Sequence, residues 1–333
     1  MGNSKMQNLY EVMGNVKICT YCNSQNSRLL FFTKSIYDDI FEIRHCQVCN
    51  AYFLAPKPTD EILKKAYDES YYGQEEEKFG VTYIEKAIDF FRKKRAKYVS
   101  KFLKEGATVL DIGCGNGRFL GFLLKYGNYN IFGIEPGENS AKRAIRVNKL
   151  ILKKGYLEKN DFSPAFFDAI TMFHVFEHLI NPAEIIDIIA NVIKPNGILV
   201  ISFPNINSWQ AKLFKGKWLH LDPPRHLLFF KPDDFINIMK IKGFENIRTK
   251  YACIEQNPFA AIQSILNLFC KKRELLFESL KKNNKYLVNI PYLIIVIQKL
   301  FFLISFPIFI FTDIIASFFK NSATVTFIFK KVN

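Results

Sequence analysis

VLDIGCGNGRFL, residues 109–120, decides the fold of this 333-residue chain. An apolar run ends at Asp111 and leads into Gly113-Cys114-Gly115-Asn116-Gly117, after which 118–126 carry a helical pattern. Glycine is needed where a backbone turns with positive φ or where a ligand approaches it closely, and Gly113, Gly115 and Gly117 suit that demand. A second apolar run, 131–135, ends in Glu135, 24 residues beyond Asp111. A carboxylate there can accept both hydroxyls of a ribose. The competing reading is an ordinary tight turn with a surface glutamate; strand, loop, helix and acid together weigh against it.

Outward from this stretch, β-like runs alternate with amphipathic helices from residue 106 on, the pattern of βαβ units on a parallel sheet. Strands are expected at 108–112, 131–135, 150–152, 167–173 and 197–203, and helices at 118–126, 139–147 and 182–193. Asn181 stands at the N-cap of the last helix and Pro182 at its first position. A helix over 233–242 ends at Gly243; 244–253 and 323–331 then read as a sixth and a seventh strand. The loop is not G-x-G-x-x-G, whose helix would hold a pyrophosphate. No Gly-Lys-Ser/Thr follows it, so it is not a P-loop either.

The glycine loop and its acid resemble those of the class I S-adenosylmethionine-dependent methyltransferases. Three further segments carry the resemblance: FDAITMFHVFEHL at 167–179, IKPNGILVISFPN at 193–205 and the closing strand at 323–331. It implies an α/β, Rossmann-like sheet of seven strands with an antiparallel last strand, and S-adenosylmethionine as cofactor. By the same resemblance Asp111, Gly113, Cys114, Gly115 and Gly117 form the cofactor loop, lying against the methionine part, and Glu135 binds the ribose. Tyr156 and Leu157 border the adenine, and Phe173 and His174 lie by the cofactor at the mouth of the fourth strand. Methyl transfer brings a nucleophile in line with a sulfonium, so most catalysis is positioning. His174 is one candidate catalytic residue. Glu177 and His178 offer acid–base groups, although holding a loop by hydrogen bonds is the favoured role for them.

Seven cysteines include two C-x-x-C pairs, Cys19/Cys22 and Cys46/Cys49, with 23 residues between them. Two such knuckles complete a tetrahedral zinc site; buried free thiols are the alternative. Four thiolates leave no open position, so the expected Zn2+ is structural, and metal-binding rather than disulfide cysteines suit a reducing cytoplasm. A zinc-knuckle module before a methyltransferase domain is similar to bacterial enzymes that modify sugars, including sugar C-methyltransferases. Zinc ribbons also occur on RNA methyltransferases.

LDPPRHLLFF, residues 221–230, stands after the fifth strand. Its Arg-His-Leu-Leu-Phe-Phe part resembles a Glu-His-Leu-x-Tyr-Phe element of sugar C-methyltransferases, with Arg225 replacing the acid. The wider Asp-Pro-Pro-Arg-His-Leu pattern is similar to methyltransferases encoded among bacterial surface-polysaccharide genes. The resemblance makes His226 the second candidate catalytic residue, a general base for a sugar hydroxyl, with Arg225 contacting a phosphate or carboxylate. An imidazole of ordinary pKa suits that task. A histidine packed in a covering loop is an equal alternative. Asp-Pro-Pro is not the tetrapeptide of amino-methylating DNA enzymes, because it follows the wrong strand and lacks the aromatic fourth residue.

An apolar segment, 258–321, separates the last two strands. Its pure run, 300–311, is 12 residues long, against the ~20 that span a bilayer. Pro291, Gln298, Lys299 and Pro307 interrupt the longer stretch. The seventh strand must return to the sheet, which excludes a single crossing and leaves two helices in one leaflet or a hairpin. Lys271, Lys272, Arg273, Lys281, Lys282, Lys285 and Lys320 flank it, and such charges favour an anionic leaflet. Monotopic membrane attachment is favoured over a helical cap against the domain or a second subunit. Contact of 287–319 with another subunit, in a homodimer, is the alternative to contact with lipid.

The expected organisation is a flexible polar tail at 1–15, a zinc-knuckle module at 16–57 and a helical linker or cap at 58–105. The methyltransferase domain follows at 106–257 and 322–333, with the insertion at 258–321. The opening MGNSKMQNLYEV carries no signal-peptide pattern, and Met6 breaks the myristoylation pattern. A net charge of +15 favours an anionic partner. The cations are dispersed and no RNA-binding module is recognisable, which weighs against nucleic acid. The reading reached is methyl transfer to a hydroxyl, less readily a carbon, of a nucleotide- or lipid-linked sugar in cell-surface glycan biosynthesis, at the cytoplasmic face of the membrane. The alternatives are a quinone or other lipid acceptor, an RNA acceptor, and an inactive membrane-bound scaffold.

Overall fold

A computed structural model describes residues 17–67 and 82–332. The expected tail at 1–15 and the middle of the expected linker lie outside the described residues. The chain opens with strands β1 (Ser27–Lys34), β2 (Ile40–Cys46) and β3 (Tyr52–Ala55), then helices Asp60–Ala66 and Thr82–Ser100. Alternation follows: β4 (Thr108–Ile112), helix Arg118–Leu123, β5 (Asn130–Glu135), helix Glu138–Ala144, β6 (Leu150–Lys154), β7 (Phe167–Phe173), helix Pro182–Val192 and β8 (Ile193–Pro204). Beyond it come β9 (Leu228–Phe229), helix Pro232–Ile241, β10 (Phe244–Lys250), the inserted helices and β11 (Thr324–Lys331).

Seven strands form one sheet in the order β10-β11-β8-β7-β4-β5-β6. β4 to β8 run parallel; β11 is antiparallel to both β8 and β10. This is the Rossmann-like methyltransferase sheet that the motifs implied. Its central strands are near-continuous apolar runs because helices cover both faces: Val109, Leu110, Ala169, Ile170, Leu199 and Ile201 are fully or almost fully buried. Strand order reverses at β4, between β5 and β7, and ligands of open α/β sheets bind beyond the carboxyl ends of the strands at such a point.

One strand boundary differs from the expectation, and one expected N-cap is in place without its bond. β8 begins at Ile193, not 197: Ile193 pairs with Phe167, and a register shift then absorbs the turn at Asn196, whose φ is +64°. Asn181 stands at its N-cap position but makes no capping bond; its side chain reaches Glu184 instead, at 3.5 Å. Pro182 at the first position sets that helix start. Gly243 does close its helix, at φ +79° with its N–H on the carbonyl of Lys240.

A second sheet runs β1-β2-β3-β9. Tyr52 pairs with Phe229 and Phe53 with Leu228. The cysteine-bearing segment is therefore stitched into the 221–230 stretch. Cys19, Cys46, Phe53 and Ala55 share one apolar core with Met172, Ile201 and Phe203 of the large sheet.

The insertion folds as helices Asn257–Phe269, Leu275–Leu280, Asn284–Leu287 and Tyr292–Phe318. The last runs unbroken for 27 residues, long and apolar enough to cross a membrane. The expected interruptions do not end it. Gln298 turns inward and donates to Cys270 Sγ at 3.2 Å, and Lys299 points outward. Pro307 removes one backbone donor, a loss that flanking turns carry.

Candidate active site

Gly113, Gly115 and Gly117 have φ of +69°, +58° and +69°. A Cβ on Gly113 would stand 2.4 Å from Val175 Cγ2, whereas one on Gly115 would meet nothing within 4 Å. Gly113 is thus a packing glycine and Gly115 faces open space. Glu135 is locked to this loop: its Oε2 accepts from the Gly115 N–H and its Oε1 from the Gly137 N–H, both at 2.8 Å. These two bonds fix the orientation of the carboxylate beside the loop.

Cys114 lies in the loop, but its sulfur packs against Gly133 in the core, so it brings only backbone to the open side. Burial pushes its thiol up. Asp111 is 4% exposed and accepts from Thr171 Oγ1 at 2.6 Å. Burial pushes its carboxyl up to about 7, against the pull of the Thr171 bond and of Arg95. Arg95 comes from the helix Thr82–Ser100; it lies over the Phe173 ring, 4.5 Å from its centroid, and bonds Glu255. At the end of β6, Leu157 is buried while Tyr156 is 69% exposed. Gly155 N–H bonds the Glu135 carbonyl at 3.0 Å, which keeps this pair beside Glu135.

Next to the loop, reached through the Gly113–Val175 contact, lies a polar cluster after β7. His174 has φ +55° and its N–H bonds Ser202 O. Its Nδ1 is 3.3 Å from Glu177 Oε1. Glu177 is 1% exposed, and its Oε2 has no hydrogen-bond partner among the described residues. Burial would raise its pKa, but the His174 bond and the neighbouring imidazoles of His174, His226 and His178 hold it at about 2. His178 Nδ1 lies 3.0 Å from Arg225 O and 2.8 Å from Tyr67 Oη. Burial, reinforced by His226, lowers His178 to about 4, so it is neutral at pH 7.

His226 is 8% exposed, its ring 4.5 Å from that of His178. Its Nδ1 lies 2.7 Å from His220 O. Arg225 does not reach outward as expected. Its guanidinium is 3% exposed, forks onto Asp222 and donates to Ala66 O. The apparent reach for a substrate anion is an internal clamp that sets the backbone preceding His226.

The sequence brought His174, Glu177, His178 and His226 forward, and the fold gathers them. It did not bring forward Tyr67, 111 residues from His178, nor Thr171, Arg95 and His220. Thr171, inside the quoted 167–179 stretch, and His220, beside the quoted 221–230 stretch, stood next to sequence signals.

Among the described residues, two clusters could hold a metal. The sulfurs of Cys19, Cys22, Cys46 and Cys49 lie within 4.8 Å of one another, with Cys19–Cys49 at 3.6 Å and Cys22–Cys46 at 3.5 Å. Zinc–sulfur bonds of 2.3 Å give a tetrahedral edge of about 3.8 Å, so this donor set fits zinc. Glu177, His178 and His226 also offer one ligand atom each within 4.8 Å of one another.

The family described as "Methyltransferase domain" matches residues 83–249, half of the chain. The match contains the glycine loop, Glu135, the 174–178 cluster and His226. The chain belongs to this methyltransferase domain family. Among curated relatives, this methyltransferase is 30% identical over 142 residues to "Ubiquinone biosynthesis O-methyltransferase, mitochondrial" of Dictyostelium discoideum, covering 38% of this chain and 44% of that protein. It is 31% identical over 155 residues to "Ubiquinone biosynthesis O-methyltransferase" of Colwellia psychrerythraea, covering 42% and 61%. The chain spans about half the length of the curated relatives it matches. A solved SAM-dependent methyltransferase from Archaeoglobus fulgidus is 18% identical with TM-score 0.44, covering 73% of this chain and 94% of that one.

Proposed function

We propose that this methyltransferase moves a methyl group from S-adenosylmethionine to a hydroxyl of a lipophilic, quinone-type acceptor. The observation that carries the reading is the joining of the Glu135-locked glycine loop to the His174–Glu177–His178–His226 cluster through the Gly113–Val175 contact. The acceptor class rests on the names of the curated relatives, which favour a quinone over the glycan that the 221–230 pattern suggested. A glycan hydroxyl is the second reading, and that pattern is what favours it.

When bound, S-adenosylmethionine supplies an electrophilic methyl group on a sulfonium. The open face of Gly115 lies against the methionine part and the carboxylate of Glu135 holds the ribose, with Leu157 as an apolar wall beside the adenine. His226 Nε2 takes the proton of the acceptor hydroxyl as its oxygen attacks. The anionic Glu177 balances the charge that develops on the histidines, and neutral His178 packs against the imidazole without repelling it. Turnover therefore depends on positioning plus one proton transfer.

We also propose that Cys19, Cys22, Cys46 and Cys49 hold a structural Zn2+, in a reducing cytoplasmic setting. A test of the acceptor uses methyl-labelled S-adenosylmethionine with a prenylated catechol in detergent, and in parallel with nucleotide sugars. Label in an alkali-stable ether of the catechol supports the proposal. Label in the nucleotide sugars alone replaces it with the glycan reading.

A further inference from the structure

The helix Tyr292–Phe318 is inside out. A helix on a water-facing surface turns its apolar side to the core. Here Gln298, Ser305 and Asp313 are buried at 3%, 6% and 2% exposure. Leu293, Ile297, Leu303, Ile304, Ile308 and Phe311 are 55–73% exposed. These residues bond inward: Gln298 Nε2 donates to Cys270 Sγ, although its Oε1 is buried without a partner among the described residues, Ser305 donates to Phe301 O, and Asp313 accepts from Asn257 Nδ2 and the Cys253 N–H. At 1.5 Å per residue the apolar stripe is about 40 Å long, well beyond the patches that soluble surfaces leave exposed.

The charge around it has one sign. The acids of 257–322 are Glu274, Glu278 and Asp313, and all three are buried. Lys271, Lys282, Lys285, Lys299 and Lys320 are exposed. The outer surface of the insertion therefore offers hydrocarbon and ammonium groups but no carboxylate. That complements a bilayer with anionic headgroups.

Both ends of the helix are tied to the domain. Before it, Tyr286 Oη donates to Arg273 O, and the Arg273 guanidinium donates to Thr33 Oγ1, Lys34 O and Gly216 O. After it, Ser322 Oγ donates to Asp313 O, and Thr324 enters the sheet opposite Pro204. A helix tethered at both ends to one folded body cannot cross a bilayer that lies beside that body.

We propose that this helix lies in the plane of an anionic membrane, its apolar face sunk into one leaflet and its lysines among the headgroups. The docking surface stands whatever the acceptor is. Thr324 and Pro204 mark the end of the sheet where the parallel strands deliver the cofactor loop, so the docked protein turns that end toward the bilayer.

The test is flotation of the full chain with vesicles of phosphatidylcholine alone or with about 30% phosphatidylglycerol. Binding is expected to the anionic vesicles, with about a fivefold loss for each of Lys271→Gln and Lys285→Gln. The Ile304→Asp/Ile308→Asp variant is expected to lose binding at least tenfold; both side chains are exposed, and unchanged S-adenosylmethionine affinity reports that the domain is intact. A Phe311→Trp variant is expected to be quenched by lipids brominated near the headgroup end of the chain. Quenching only from the bilayer centre overturns the in-plane arrangement. A stable dimer that ignores both vesicles, or a monomer that does so, overturns the proposal outright.

Discussion

The Nδ1 of His226 lies 2.7 Å from the carbonyl oxygen of His220. A carbonyl only accepts, so Nδ1 carries the hydrogen and the basic lone pair sits on Nε2. Nε2 is 3.8 Å from Asp222 Oδ2, too far to be a hydrogen bond. His226→Ala is expected to lower kcat by about 10²- to 10⁴-fold. Its affinity for S-adenosylmethionine, measured by titration calorimetry, stays unchanged. Wild-type turnover in this variant would make His226 a packing residue.

Gly113 and Gly115 separate folding from binding. An alanine at 115 has room for its methyl group but sits in a left-handed turn, at a cost of about 1–2 kcal/mol. Its methyl occupies the ligand side of the loop. Gly115→Ala is therefore expected to fold, with cofactor affinity reduced more than tenfold. Gly113→Ala adds a clash with Val175 and should cost about 2–4 kcal/mol of stability. Thermal melts with and without S-adenosylmethionine distinguish the two. Equal losses of Tm in both variants would contradict this division.

The large sheet was legible because its signals are local. A strand, three glycines and a helix within 109–120, then an acid after the next strand, specify how chain meets ligand. The polar cluster was legible in part: His174, Glu177 and His178 share one stretch, and His226 sits in another with its own pattern. What the sequence hid is long-range. The pairing of Phe53 with Leu228 and the bond between Tyr67 and His178 join residues far apart in the chain, and neither partner's neighbours foretell the other. Arg225 misled in part for the same reason: its fork onto Asp222 is local, but the Ala66 carbonyl that also receives it lies 159 residues away. In the insertion, composition gave the apolarity. It could not say that Gln298 and Asp313 would face inward.

Asp111 makes stability depend on pH. In an unfolded chain its carboxyl ionises near 3.8; burial moves it to about 7 in the fold. The folded state therefore keeps the proton across that window. The stability this contributes is full below pH 4 and is lost as pH rises through 7, up to about 4 kcal/mol for this group alone. Asp111→Asn can still accept from Thr171 and has no proton to lose. Between pH 5 and 8 the cofactor-free wild type should lose more Tm than the variant. Parallel curves would show that Asp111 is ionised throughout.

The cysteine cluster is expected to act on turnover through backbone. Leu54 N–H of β3 donates to Leu227 O at 3.0 Å, and Leu227 N–H donates to Glu177 O at 2.7 Å. The residue after His226 is thus clamped between the cysteine-bearing sheet and the carboxylate-bearing turn. Cys46, the last residue of β2, closes the knuckle that feeds this sheet. Cys46→Ser, or removal of zinc by a chelator, should loosen the β3–β9 pairing and with it the placement of His226. Amides of 227–229 should then exchange about tenfold faster or more. Turnover should fall while cofactor affinity changes little, because the glycine loop and Glu135 are held by separate bonds. Full turnover from protein shown by metal analysis to be zinc-free would break the link between the cysteines and His226.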